Sequence, residues 1–464
     1  MKKWLSLVAV AVFTVLMVST AGAQDDPLAD IDPTGVEILY WHEWDGAQGE
    51  GINAIIDAFN AENEFGITVV TEELGSSGNI LERVSAGITS GELPNLAGNG
   101  FVNNAMTWYL DGVVVPLDDY INSPTYGFSE EEAANINMDV LSINQPQVAP
   151  FNGQLLAWPI GISSNVVSTN IDMLAELSES GAISFEGIPQ TPEQLREAAC
   201  AASELEGVNG GYAARPSSTE LYDFIYAFGG FIFDEEADQW NITNENAITA
   251  MQFAQDLYND GCMYFPDGGF FANTGEFSLR LNAFAPGSSV GVPFIQGDLD
   301  EAVETGQLEE PFMWVNTPFP SIEGVPTTLQ TFLRGVVMFE STPEENLATW
   351  LFLKYWATSE FAQVTWTESA QYQPYNTATP DLVSDEFLAA NPQYSSFADA
   401  LASDDIVLTA APSIPRANEI NDIASALYSD ITIGGADVME AAAEAQEEMN
   451  ELYAEILEDL ADAE

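Results

Sequence analysis

Positive charge is nearly missing from this chain: 464 residues carry nine Lys and Arg against 73 Asp and Glu, a net charge of −64. Nucleic acid is thereby excluded as a partner, because phosphate binding needs clustered Lys and Arg to displace counterions. Anionic membrane surfaces are excluded on the same ground. The acids are dispersed along the chain and not gathered in one tail. Such a surface suits high salt, where a shortened Debye length reduces self-repulsion. Acidic surroundings, or an ordinary bias of the lineage, are the other readings.

Histidine is scarcer still, with His42 alone, and there is no H-E-x-x-H, C-x-x-C, Walker A or G-x-G-x-x-G pattern. One imidazole cannot build a His-based zinc cage, so neither metal nor cofactor is expected. Gly287-Ser288-Ser289-Val290-Gly291 matches G-x-S-x-G, but hydrolases of that type place their histidine after the serine. Here the histidine precedes Ser289 by 247 positions, so a polar Gly-rich turn is the better reading and no enzyme is expected. Glycoside hydrolysis needs two spaced carboxylates. Among 73 acids no pair stands out, which leaves a secreted carbohydrate-active hydrolase open as a rival.

Apolar runs long enough to matter occur only at the start. Met1-Lys2-Lys3 is a positive n-region, Trp4 to Val18 is apolar, and Ala21-Gly22-Ala23 is a cleavage signal, which together predict a secretory signal peptide over 1–23. Its removal takes Lys2 and Lys3 with it and leaves seven basic residues. No later stretch is long enough to span a bilayer, and no Cys directly follows the signal to take a lipid anchor. Only Cys200 and Cys262 are present. An even count in an oxidising compartment favours a disulfide between them, with two buried free thiols as the alternative.

What is there is a globular composition, 46% hydrophobic and 11% aromatic, in a chain long enough for two or three domains. A polar linker over 24–34 leads to Val36–Trp41, rich in strand formers. Ile52, Ile55, Ile56 and Phe59 then recur at helical spacing. Gly66 to Glu73 reads as a second strand, carried by Ile67-Thr68-Val69-Val70, and Ile80, Leu81, Val84 and Ile88 as a second helix face. Strand, helix, strand, helix predicts βαβ units on a mainly parallel sheet. Asn152-Gly153 predicts a hairpin turn before Leu155–Trp158. Thr191-Pro192-Glu193-Gln194 and Thr342-Pro343-Glu344-Glu345 predict capped helix starts, and 437–460 an acidic C-terminal helix.

Tyr40-Trp41-His42-Glu43-Trp44-Asp45-Gly46, followed by a helix ending Ala58-Phe59-Asn60-Ala61-Glu62-Asn63, resembles the extracellular solute-binding proteins of ABC importers. That family includes maltose-binding and glycerol-3-phosphate-binding proteins. The resemblance continues through Ser90–Asn95, Gly153–Gly161, Phe228-Gly229-Gly230, Asp256–Gly261, Thr342–Phe361, Ala370–Pro374 and Pro412–Pro415, collinear over nearly all the chain. It implies the type II periplasmic-binding-protein fold, α/β, with two lobes of mainly parallel sheets covered by helices around a ligand cleft. It places 35–162 and 312–342 in lobe 1 and 163–311 and 343–464 in lobe 2. Crossings are expected near 160–165, 313–317 and 340.

The same resemblance implies a secreted or periplasmic, monomeric receptor that binds a mono- or oligosaccharide and delivers it to the permease subunits of an ABC importer. A polyol or glycerol-phosphate receptor is the alternative within the family. Trp41 and Trp44 would offer ring faces and Glu43 and Asp45 acceptors, with one of the two Trp expected in the core and Trp44 as the better contact. Further contacts map to Phe101, Asn103, Ser163, Ser164, Tyr222, Asp223, Ser288, Ser289, Arg334, Tyr372 and Arg416. Phe101 stands where glycerol-3-phosphate binders carry Glu, which weakens that alternative.

Overall fold

A computed structural model describes residues 26–98, 102–143, 145–403 and 405–463. The signal-peptide reading over 1–23 and the assignment of Phe101 fall outside those residues. Strands are numbered along the chain: β1 (Glu37–His42), β2 (Thr68–Glu73), β3 (Leu96–Ala97), β4 (Trp158–Pro159), β5 (Ser163–Asn170), β6 (Tyr212–Ala213) and β7 (Phe233–Asp234). There follow β8 (Gln239–Trp240), β9 (Met263–Tyr264), β10 (Phe284–Ser288), β11 (Trp314–Thr317), β12 (Thr327–Phe332), β13 (Gly335–Met338) and β14 (Ile406–Thr409). They form a sheet in the order β2-β1-β3-β13-β4, a larger one in the order β14-β12-β5-β10-β6-β9 with β11 also on β5, and a small β7-β8 hairpin.

In the first sheet β1 runs parallel to β2 and β3. The helix Gly46–Glu62 joins β1 to β2 and buries Ile52, Ile55, Ile56 and Phe59, the face its spacing predicts. Each such side chain contributes about 1.5–3 kcal/mol when fully buried. The helix Ser77–Ser90 starts on Ser76, whose hydroxyl caps Asn79 N–H, and ends on Gly91 at φ +77. The turn at Asn152-Gly153 forms with both residues at positive φ, but no hairpin follows, because β4 pairs with β13 and not with a preceding strand.

The helices Pro343–Thr358 and Glu360–Ala370 depart from the expected boundary after 342. The Thr342 capping box forms as its residues predict, yet Leu347, Trp350, Phe352, Leu353, Trp356 and Trp366 share one core with Ile38, Tyr40, Ile55 and Phe59. Both helices therefore cover the first sheet and belong with lobe 1. An apolar helix joins whichever sheet offers a matching groove, which its own sequence does not reveal.

The chain passes between sheets at 160–162, between β4 and β5, and at Leu333-Arg334, between β12 and β13. It passes again between Leu382 and the helix Pro392–Leu401, whose Phe397 packs on Val166 and Leu329. The crossings expected at 313–317 and 340 are corrected: 314–317 is β11, inside the second sheet, and residue 340 follows β13 in the first. Strand β5 is polar for a fully buried strand, and several of its side chains bond across the sheet, while Asn170 Nδ2 finds no partner among the described residues. Thr169 Oγ1 lies 3.0 Å from Thr317 Oγ1, and Ser168 donates to Asn316. Cys200 and Cys262 form a disulfide that ties the helix Pro192–Ser203 to the residue before β9.

Candidate functional site

Topology decides where the two sheets can hold a ligand. In the first, the C-terminal ends of β1 and β3 lie at one edge with Arg334, just before antiparallel β13. In the second, β6, β9 and β10 are mutually parallel and β5 is antiparallel to β10, so the ends Ala213, Tyr264 and Ser288 share an edge with Ser163. Strand β5 begins where the chain leaves the first sheet, so the two C-terminal edges meet at the hinge. Ligands of open α/β sheets bind beyond such edges.

On the first lobe, Glu43 follows β1 and is nine-tenths buried. Arg334 Nη1 lies 3.5 Å from Glu43 Oε1, and Arg334 Nη2 donates to Ser77 Oγ at 3.0 Å. Among the described residues no well-directed hydrogen-bond donor reaches either Glu43 oxygen. Burial pushes this carboxyl up, and Arg334 together with the residue's own backbone amide pulls it back. Gly98 leaves the space it needs, since a Cβ there would stand 2.8 Å from Glu43 Oε2. Burial holds the His42 imidazole below its ordinary value, and the Trp44 backbone pulls it partly back.

On the second lobe the polar residues interlock. Asp223 accepts from Asn165 Nδ2 on one oxygen and Gln330 Nε2 on the other. Asn165 in turn accepts from Arg215 Nη2 at 3.3 Å. Glu220 accepts from Arg215 N–H at 2.8 Å and from the Tyr428 hydroxyl at 2.9 Å. Burial pushes Asp223 up to about 7 and Glu220 up to about 8, against the pull of their donors and of Arg215. Burial lowers Arg215 too, with Glu220 holding it charged. Two carboxyls beside one guanidinium need lose only one proton between them to neutralise it.

The expected residues divide. Glu43, Arg334 and Tyr372 meet on the first lobe, where burial pushes the Tyr372 phenol up and Arg334 pulls it only partly back. Ser163 donates to Phe332 C=O, Ser164 N–H donates to Ser289 Oγ at 3.1 Å, and Asp223 joins the second-lobe network. Ser288 is exposed at the end of β10, and its hydroxyl accepts from Val290 N–H. Asn103 donates to Asn418 at 3.3 Å from the other lobe.

Others serve structure. Trp44, expected to offer a free ring face, is 3% exposed and packs edge-on to Trp366 and Tyr372, with Arg334 5.7 Å from its ring. Trp41 is as deeply buried, under Arg83. Tyr222 lies in the second-lobe core, whereas Asp45 is exposed before the helix Gly46–Glu62 and its side chain does not cap that helix. Arg416 binds Glu419, Glu455 and Asp459, bracing the two C-terminal helices, Ala417–Thr432 and Val438–Ala463. A groove of about 670 Å³ between those helices is lined by acids, among them Asp422, Asp430, Glu444, Glu448 and Glu455, and by apolar residues such as Leu427 and Leu452. Sequence reasoning missed Arg215, Asn165, Glu220 and Gln330. Arg215 had one available signal, as one of seven cations outside 1–23.

With this geometry in place the relatives are informative. A family profile of bacterial extracellular solute-binding proteins matches residues 54–396, and the chain belongs to that family. The two-lobed fold is that of solved binding proteins at low identity. The cyclic α-maltosyl-1,6-maltose binding protein of Arthrobacter globiformis aligns at TM-score 0.71 and 16% identity over 91% of this chain and 99% of its own. The sugar-binding protein MalE of Xanthomonas citri aligns at TM-score 0.71 and 16% identity over 90% and 98%. The glycerophosphocholine complex of UgpB from Mycobacterium tuberculosis aligns at TM-score 0.68 and 17% identity over 91% and 98%. No match was found among curated protein sequences.

Proposed function

We propose that this chain is a secreted, monomeric receptor for a neutral saccharide, held between the two lobes and passed to the permease subunits of an ABC importer. The observation that carries the reading is charge matching at the hinge. Arg334 stands against Glu43, and the carboxyls of Glu220 and Asp223 lie close enough to Arg215 to favour its charged form, so both guanidiniums have acidic groups set against their charge. Glu43 keeps two buried acceptor oxygens that no directed donor reaches among the described residues, and ligand hydroxyls are such donors. A phosphate would instead meet these carboxylates and the overall charge of −64. Solved proteins of the same fold named as maltose-type and sugar binders support the same reading. Glu43, Arg334, Tyr372, Ser163, Asn165, Asp223 and Ser288 are the residues proposed to face the ligand.

Calorimetric titration against a panel of saccharides and glycerol phosphates, with each saccharide recovered and analysed, tests this. Saccharide binding without turnover is expected. Preference for a phosphate-bearing ligand overturns the neutral-ligand reading, and cleavage of a bound saccharide would establish the hydrolase rival.

A further inference from the structure

Phe270 and Phe271 are 62% and 70% exposed, and they follow one another on the segment that leaves β9. Two adjacent aromatic rings in water are costly unless something covers them. The segment turns through Gly268 at φ +136, a conformation that glycine adopts without strain. The two rings meet edge-to-face at 5.1 Å. Phe270 also lies over Arg215, whose Cζ is 4.8 Å from the ring centroid. Arg215 itself is held from below by Asn165 and Glu220. The platform is therefore anchored to the second-lobe network and not a loose tip.

Its place follows β9 on the same C-terminal edge, beside Arg215 after β6, and β10 with its end at Ser288 belongs to that edge too. Arg215 takes up one side of the Phe270 ring, so the ring's exposure is on its other side and edges. An apolar face above placed polar groups fits the C–H face of a pyranose ring. The rigid support lowers the entropy lost on stacking.

We propose that Phe270 and Phe271 form an outer saccharide subsite on the second lobe, separate from the Glu43–Arg334 position on the first. The ligand then spans at least two sugar rings, and a monosaccharide fills only part of the cleft. This rests on the saccharide reading above.

The test is titration of the full chain with glucose, maltose, maltotriose and maltotetraose, and with the cellulose and xylan series of the same lengths. Wild type, Phe270→Ala, Phe271→Ala and Phe270→Trp are compared, with unfolding midpoints as controls for folding. Wild type should bind di- or longer saccharides more tightly than the monosaccharide of the same series. Each Ala variant should lose about tenfold in affinity for the longer ligands and little for the monosaccharide. Phe270→Trp, which restores a ring, should recover binding. A purely structural role would lower all affinities together, or the midpoint, and overturns the subsite. So does unchanged affinity in both Ala variants, which would leave the pair as a protein-docking patch. Wild type that binds no saccharide of the panel overturns the saccharide reading itself, and the subsite with it.

Discussion

Arg334 Nη1 stands 3.5 Å from Glu43 Oε1, joining the residue after β1 to the link between β12 and β13. The pair sits where the chain passes between the two sheets, so the ligand proposed at Glu43 lies beside a crossing between the lobes. Only contacts that differ between open and closed forms can shift that equilibrium.

Glu43→Gln keeps the shape and removes the charge. Saccharide affinity should fall about tenfold or more, given the 1.5–3 kcal/mol of a hydrogen bond to a charged group. Arg334 then lacks its counter-charge, so binding of glycerol phosphate should strengthen. Titration of both ligands decides it; an unchanged pair of affinities would move the ligand away from Glu43.

Trp44→Ala should act on stability first. Its ring packs on Trp366 and Tyr372 inside the first-lobe core, and truncating such a Trp costs about 3–5 kcal/mol. A large drop in the urea midpoint is expected. A midpoint close to wild type, with affinity lost, would return Trp44 to the role of an open stacking face.

The second-lobe network predicts a pH slope. Asp223 at about 7 and Glu220 at about 8 exceed the ordinary carboxyl value. Between about pH 4 and those values the folded chain keeps protons that the unfolded chain has released. The stability from these groups is thus full at low pH and is lost as pH rises through the window. Asp223→Asn should flatten this part of the melting profile between pH 5 and pH 8, and should also destabilise the fold, because its amide N–H₂ meets the Asn165 and Gln330 donors. An unaltered slope would assign the pH dependence to other groups.

Net charge predicts a salt response. Excess acids repel one another more in the compact state than in the expanded one, and salt screens the difference. The melting temperature should rise clearly up to about 1 M NaCl, where the Debye length is about 3 Å. A flat response would show that the acids are already offset and would end the high-salt explanation.

Reduction should be costly. The Cys200–Cys262 bridge spans 62 positions, a loop worth about 4 kcal/mol in the chain-entropy account. Reductant should lower the melting temperature by several degrees, and thiol labelling of the unfolded, unreduced chain should find no free cysteine. Two labelled thiols would contradict the bridge.

The sequence by itself determined the local elements and the family. Periodic Ile and Phe along 52–59, Thr-Pro helix starts at 191 and 342, and Cys parity all act within a few residues or by simple count, so they are legible without coordinates. Tertiary structure alone decided which sheet receives the helices Pro343–Thr358 and Glu360–Ala370, and which of the acids and aromatics reach the hinge. Trp44 follows β1 as an open contact would, but it is claimed by Trp366, more than 300 positions away. Arg215 carries no motif; its environment comes from Asn165, 50 positions upstream, and from Phe270 on a separate loop. Burial and charge matching are sums over such distant neighbours, and those sums exist only once the chain has folded.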